Sequence, residues 1–452
     1  MPVTRPGPVL AVMSAAVVAA IALVAAVNLA LPTLAASGLH PSPSQLVWIV
    51  DSYVLVFACL LIPAGAAGDR FGRKGVLLAG LGVFAAGCLA AALAPNVAVL
   101  IAARALSGAG AAMIMPASLA LSVHAHPPER RAHAVAVWTA ATGVAGVAGN
   151  VGGGLIMQFL PWQALFAVMV PVAAVLAVLA ARLAPRVARH EAALDLLGAA
   201  LLTAASVALV GGIIEGPEAG WTSPVVLAAF AGALLLFAWF TVHQSRTALP
   251  LLDPRLFRAA GLRAGTLGVA VTFFGMFALF FVNARYLQEV KGFSPLLTGL
   301  AILPMTVPMI VLSRMSGRLP RLPAVAAGLA GNVAGLVLLS FADAAMPYPV
   351  YAAGLVVMGA AMGLCLPVFS HEIMAALPSE RAGLGSGLNS AARELGSAVG
   401  VAVMGTVAAA SGTGAAYLVV AAVVLVGGAV SLGWLASRAA RPRSGDPVRQ
   451  YS

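Results

Sequence analysis

Apolar runs of about twenty residues, separated by short polar segments, recur from one end of the chain to the other. Each is long enough to cross a bilayer as a helix. Fourteen can be marked out, at 10–34, 46–67, 76–94, 97–121, 132–158, 162–182, 194–214, 222–242, 264–287, 294–315, 322–342, 349–370, 384–410 and 413–436. In lipid the backbone has to satisfy its own hydrogen bonds, so these runs predict an all-α membrane protein. The polar breaks are compact. Gly65–Lys74 reads GAAGDRFGRK, a charge-dense turn bounded by glycine and wedged between two apolar runs. The first run is too long for a cleaved leader and continues through Leu31-Pro32, so it is expected to be retained.

Composition agrees with this pattern. Of 452 residues, 62% are hydrophobic and 9% charged, too few charges to cover a soluble surface of this size. The net charge of +11 suggests nucleic acid until its distribution is followed. With the N-terminus in the cytoplasm, 21 of the 25 Lys and Arg fall on inner segments, and the outer loops hold only Arg285 and Lys291. That is the positive-inside bias, with both termini inside and an even number of spans. It explains the charge by the lipid bilayer and excludes a nucleic-acid partner. Cys59, Cys88 and Cys365 lie within apolar runs and read as small packing residues. The seven histidines show no metal spacing, no phosphate-cradling loop is present to use ATP, and no cofactor or catalytic constellation appears.

The chain also repeats itself. Pro127-Pro128-Glu129-Arg130 and Pro378-Ser379-Glu380-Arg381 lie 251 residues apart, and the same offset lays Arg321 on Arg70, Gly400 on Gly149 and Gly405 on Gly154. A duplicated six-helix unit is expected, as in one large class of secondary transporter. The implied division is 1–182 and 263–437 as the two units, 183–262 as an inserted helix pair with cytoplasmic linkers, and 438–452 as a cytoplasmic tail. Glu215-Gly-Pro-Glu218 is expected as an acidic outer loop of that pair, and His371-Glu372 as an interfacial pair at the inner surface.

Charges inside spans are costly and mark functional candidates. Asp51 and Arg104 lie about 9–12 Å from the outer ends of spans 2 and 4, close enough in depth to pair. A carboxylate balanced between burial and a nearby cation suits a proton carrier. Glu394 is a second coupling candidate. Its neighbour Arg393 points in another direction, so the two are not expected to pair. Phe273, Phe277 and Phe280 share one helical face suited to flat or cationic ligands. Asn28, Asn283, Gln288 and Asn389 are candidate cavity amides, although buried amides also join helices. Gly143, Gly146, Gly149 and Gly153 form a small-residue face beside Asn150, expected to pack closely and to act as a gate. In the inner turn, Gly65, Gly68 and Gly72 permit a tight reversal while Asp69, Arg70 and Arg73 supply charges for a conformational latch between the halves.

These residues resemble the fourteen-helix drug:proton antiporters of the major facilitator superfamily. Gly65–Lys74 resembles its loop 2–3 motif, and Gln45–Tyr53 its second-helix signature. Asp195-Leu-Leu-Gly198 and Pro250–Arg258 resemble the segments bounding its inserted pair. Tyr286–Gly299 with Pro304, and Gly385–Gly396 with its Arg393, are the most specific stretches. The resemblance covers nearly the whole chain. It implies the major facilitator fold, with export of small amphipathic compounds or antibiotics, driven by proton entry through alternating access. Two positions differ from that pattern: Leu23 stands near the usual first-helix aspartate, and Gly149-Asn150 replaces a Gly-Pro pair. A dedicated exporter of an endogenous metabolite, or a transporter without proton antiport, therefore stays open beside drug efflux. A sensor without transport would need a soluble domain, and no segment is long enough for one. The arginine-heavy basic set and abundant alanine and glycine suggest a bacterial plasma membrane. Substrate identity, coupling ion and oligomeric state stay open at this level.

Overall fold

The computed structural model describes residues 6–187, 195–247, 250–252, 254–377 and 382–439. Arg5, Arg189, Asp253, the Pro378-Ser379-Glu380-Arg381 loop, Arg441, Arg443, Arg449 and most of the 438–452 tail lie outside the described residues. Among the described residues, fourteen helices are long and apolar enough to cross a membrane: α1 (Pro6–Ala35), α2 (Pro43–Phe71), α3 (Arg73–Ala92), α4 (Val97–His124), α5 (Pro128–Phe159), α6 (Gln163–Leu183), α7 (Leu196–Ala219), α8 (Pro224–Arg246), α9 (Ala260–Val290), α10 (Pro295–Arg318), α11 (Arg321–Leu339), α12 (Tyr348–Ala375), α13 (Gly387–Ser411) and α14 (Thr413–Arg438). The helices start where short polar residues accept the orphan N–H groups of the first turn. Ser42 and Gln45 form a reciprocal capping box at α2, with Pro43 in the first turn, and the Asn96 side chain accepts from Val99 N–H at 3.0 Å.

Apolar packing inside a membrane gains little over lipid, so close approach depends on small residues. The repeat shows how. A Cβ on Gly149 of α5 would overlap the Ala22 carbonyl of α1, and a Cβ on Gly400 of α13 would overlap the Phe274 carbonyl of α9. At the next equivalent pair, Gly154 of α5 abuts Pro295 of α10, and Gly405 of α13 abuts Val47 of α2. Residues matched by the 251-residue offset thus make matching contacts in the first six and last six helices. Gly153 also lies on α1, at Ala26. Gly143 and Gly146 face open space, so the expected glycine face packs only along its outer part.

Three expectations change. The Gly65–Lys74 turn shrinks to one residue: α2 runs through Phe71, α3 begins at Arg73, and Gly72 joins them at φ 102°. Gly68 stays helical, and its bare face receives the Arg73 side chain. Glu215 and Glu218 lie in α7, because both find donors on α2: Trp48 Nε1–H donates to Glu215 at 2.9 Å, and Ser44 N–H to Glu218 at 3.0 Å. Glu372 is buried, with 1% exposure, since Arg321 (3.1 Å) and Arg438 converge on its two oxygens.

α7 packs on α8 and lies against both α2 and α13. At its inner end Asp195 caps α7 through Gly198 N–H (2.8 Å) and accepts from His243 (2.8 Å) and Gln244 (2.5 Å) of α8. Gln244 Oε1 in turn accepts from Leu252 N–H at 3.0 Å, tying in the linker. Burial opposes ionisation of Asp195, but the bonds from His243, Gly198 and Gln244 outweigh it and hold the carboxyl below its ordinary value. Stability from such a group is complete above about pH 4 and is lost as pH falls further, through the lowered folded-state value. Asp195→Ala should destabilise the inserted pair by about 1–2 kcal/mol. It should also flatten the acid limb of a melting-temperature profile measured in detergent. An unchanged acid limb would remove Asp195 as its source.

Candidate functional site at the α2–α13 seam

α2 presents two functional faces. Ile49 and Tyr53, four residues apart, lie on one side. There Arg104 of α4 donates Nε–H to the Ile49 carbonyl at 3.0 Å, and its guanidinium sits 4.3 Å from the Tyr53 ring centroid. Phe166 of α6 lies 6.0 Å away on another side. Arg104 is fully buried, with both terminal nitrogens lacking hydrogen-bond partners, so aromatic faces provide much of its compensation. Asp51 lies two residues from both Ile49 and Tyr53, on the opposite side of α2. The expected Asp51–Arg104 ion pair is not formed for that reason.

Asp51 shares instead the stripe of Val47 and Ile62, at spacings of four and eleven residues. Both flanking residues touch α13: Gly405 abuts Val47, and Gly387 approaches Ile62. Asp51 therefore lies on the α13-facing side. It is fully buried, and neither carboxyl oxygen has a hydrogen-bond partner.

The same spacing places Glu394 on the facing stripe of α13, seven residues from Gly387 and eleven from Gly405. Glu394 is 6% exposed, and Arg393 pairs with it at 3.0 Å. This corrects the expectation from helix geometry. The long arginine stem curls back over the turn and brings the guanidinium to the adjacent carboxylate. Arg393 also lies 5.4 Å from the Phe273 ring centroid and reaches Met115 Sδ of α4 at 3.9 Å. Phe273, Phe277 and Phe280 continue from it as a half-buried row, with ring centroids 6.3 and 5.6 Å apart. The structure thus joins the expected aromatic face to the Arg393–Glu394 pair.

The amides are placed differently. Asn283 accepts from Tyr351 O–H (2.9 Å) and Asn389 from Ser370 O–H (2.9 Å), both joining helices of the last six. Asn28 Nδ2 donates to Val24 O (3.0 Å) while its Oδ1 is buried and unpartnered. Asn150 Nδ2 donates to Gly146 O at 2.9 Å within α5, and its own carbonyl lies against Gly299 of α10. Gln288, in a π-helical turn that ends α9, donates to Leu29 O of α1 at 2.9 Å. Gln288–Leu29, Gly299–Asn150 and Gly154–Pro295 are all contacts between the first six and last six helices at their outer ends. On the inner side Asp69 pairs within its own turn, with Arg73, and Arg70 stacks 5.6 Å from Phe71.

Sequence reasoning missed the Asp195–His243–Gln244 knot and the Glu372 clamp. A helix-start Asp opposite a His-Gln pair was a usable signal for the first. The second joins three helix ends far apart in the chain and left no local signal.

The profile of the Major Facilitator Superfamily matches residues 12–401 and, overlapping, 296–450. The chain belongs to this superfamily. It is 35% identical to multidrug resistance protein Stp of Mycobacterium tuberculosis, over 85% of this chain and 72% of that protein. It is 34% identical to the methylenomycin A resistance protein of Streptomyces coelicolor, over 90% and 87% of the two chains. The tetracenomycin C resistance and export protein of Streptomyces glaucescens is 35% identical, over 82% and 70%. Among solved structures, the peptide-transporter-family member PepTSo superposes with a TM-score of 0.70 at 15% identity, over 96% of this chain and 98% of that one. The inward-open xylose transporter XylE from E. coli gives 0.66 at 14%, over 95% and 96%. These neighbours show the major facilitator fold, and the superfamily match with its export-protein relatives makes the chain a multi-pass membrane transporter.

The Gly299–Asn150 crossing generates a direct test. Gly299→Val should push α10 off α5 and open the outer side. A Leu29→Cys substitution, at the outer-end contact with Gln288, should then react several-fold faster with membrane-impermeant maleimide added outside, the three native cysteines being buried. Equal labelling with and without Gly299→Val would show that this crossing does not hold the outer side shut.

Proposed function

We propose that the chain exports small amphipathic compounds, antibiotics among them, across a bacterial plasma membrane in exchange for protons. The observation that carries the coupling is Asp51. An ionised, unpartnered carboxylate at zero exposure would cost several kcal/mol, so in this conformation Asp51 holds a proton. Separating α2 from α13 would admit water and release it. Glu394, compensated by Arg393 on the same seam, is the second titrating group, and its charge pair is open to exchange for a cationic or polar substrate. The Phe273–Phe277–Phe280 row supplies a face on which flat apolar substrates stack. Arg104, locked on Tyr53 and Ile49, holds α4 to α2 and does not itself carry the proton. Residues 1–182 and 263–437 act as the two rocking units, with 183–262 inserted, and the state described is closed outside. Transport then runs on the ion gradient, without ATP or covalent chemistry.

The names of the relatives support drug export, and two of them also support a narrower reading. They name single antibiotics, methylenomycin A and tetracenomycin C. Leu23, fully buried where the related pattern has an acid, removes one charge from the first helix. A dedicated exporter is therefore the second reading. A resistance panel of cationic and neutral compounds, in a host lacking its own pumps and with and without a protonophore, separates the two by breadth. Resistance that survives the protonophore would sink proton coupling for both.

Two substitutions probe the assignment inside that assay. Asp51→Asn should insert at the wild-type level yet lose ΔpH-driven accumulation in vesicles at least about tenfold, a barrier or coupling change of about 1.4 kcal/mol. Retained uphill accumulation would remove Asp51 as the proton site. At the inner turn, Asp69→Asn frees Arg73 and should slow transport severalfold at matched protein level. A normal rate would reduce Gly65, Asp69, Arg70, Gly72 and Arg73 to a plain positively charged turn.

A further inference from the structure

A cavity lies at the inner side of the protein, beneath the inserted pair and beside the inner part of the α2–α13 seam. It encloses about 500 Å³, within the range of small-molecule sites. Ile62 of α2, Leu202 of α7, Leu267 of α9 and Leu395 of α13 contribute to a wall that is almost wholly apolar. Its charged lining residue is Arg263, in the first turn of α9. The Arg263 Nε–H is buried without a hydrogen-bond partner, and the guanidinium lies 5.0 Å from the Trp434 ring centroid of α14. Such a donor, beside a hydrophobic slot, lacks the anion that would complete it.

Depth narrows the choice of anion. Arg263 is three residues in from the cytoplasmic end of α9, at the level of lipid headgroups. The cavity continues along α9 to Ala270, about 10 Å further into the bilayer. That covers most of one leaflet's hydrocarbon depth of about 15 Å. Arg255 and Arg258 stand exposed on the turn Pro254–Arg258 just before the helix. The nearby acid Glu372 is already matched by Arg321 and Arg438. Basic recesses between helices on the cytoplasmic side suit anionic headgroups.

We propose that this cavity binds one anionic phospholipid of the inner leaflet, its phosphate on Arg263 and an acyl chain between α7, α9 and α13. The lipid would fill the joint between the inserted pair and the last six helices. The assignment is independent of the transport reading, because it is scored by binding alone.

The test uses the full chain in nanodiscs of equal phosphatidylglycerol and phosphatidylcholine, released into mild detergent for native mass spectrometry. One phosphatidylglycerol per chain should remain, with phosphatidylcholine at about fivefold lower occupancy, the factor expected for one basic residue facing an anionic lipid. Arg263→Gln should abolish the preference, and Arg263→Lys should keep it. Soluble glycerol 3-phosphate should fail to displace the lipid, since it brings no chain. Equal retention of both lipids by the wild-type protein, or a preference that survives Arg263→Gln, would overturn the site. Displacement by glycerol 3-phosphate would overturn the placement of the acyl chain.

Discussion

At the crossing of α13 and α9, Gly400 lies directly on the Phe274 carbonyl, with no room for a single methyl group between the two backbones. The crossings of α5 on α1 at Gly149 and of α10 on α5 at Gly299 are built the same way. In hydrocarbon, helices gain little by turning apolar side chains toward each other, so close backbone contact has to supply the cohesion. Everything else in the structure depends on these crossings. They bring α2 against α13, set Phe273 beside Arg393, and close the outer ends. They also make the assembly suited to switching. A glycine crossing has few interlocked side chains, so it can separate and re-form without repacking a core.

Burial of charge is handled in two ways on the two sides of α2. Arg104 is compensated by neutral partners, the Ile49 carbonyl and the Tyr53 and Phe166 rings. It holds α2 to α4 within the first six helices. Asp51, on the opposite face, has no such compensation: neither of its carboxyl oxygens has a hydrogen-bond partner. A paired Asp51 would have been a static strut. In the proposed mechanism, the absence of the ion pair leaves the α13 side of this helix with a group whose charge changes when the seam opens.

Hydropathy alone located the fourteen spans, because a bilayer imposes one length on every crossing and tolerates no other backbone arrangement. The spacing of Gly149 with Gly400 and of Gly154 with Gly405 foretold matched helix crossings, since only glycine satisfies such contacts. What stayed hidden has a common cause. Asp51 and Arg104 had the right depth, but depth says nothing of azimuth, and azimuth decides whether a pair forms. Glu372 read as interfacial because its partners Arg321 and Arg438 lie 51 and 66 residues away. Glu215 and Glu218 read as loop because apolarity ends at Ile214, although capping bonds to α2 carry the helix onward.

The inserted pair adds an asymmetry to an otherwise two-fold plan. Both seams between the six-helix groups have glycine contacts, α5 with α10 and α2 with α13, yet α7 lies along only the second. It grips that seam from both sides at the outer end. Ser44 and Trp48 of α2 donate to Glu218 and Glu215, and Thr406 of α13 donates to the Ile213 carbonyl at 2.9 Å. Outward opening must therefore break these polar bonds on one seam; on the other side it meets the backbone crossings of Gly299 and Gly154 between α5 and α10, and the Gln288–Leu29 bond between α9 and α1. Asp51 and Glu394 lie on the seam that α7 bridges. In the proposed mechanism, a proton on Asp51 exchanges only when this bridged seam parts, which ties its release to the same motion that opens the outer side.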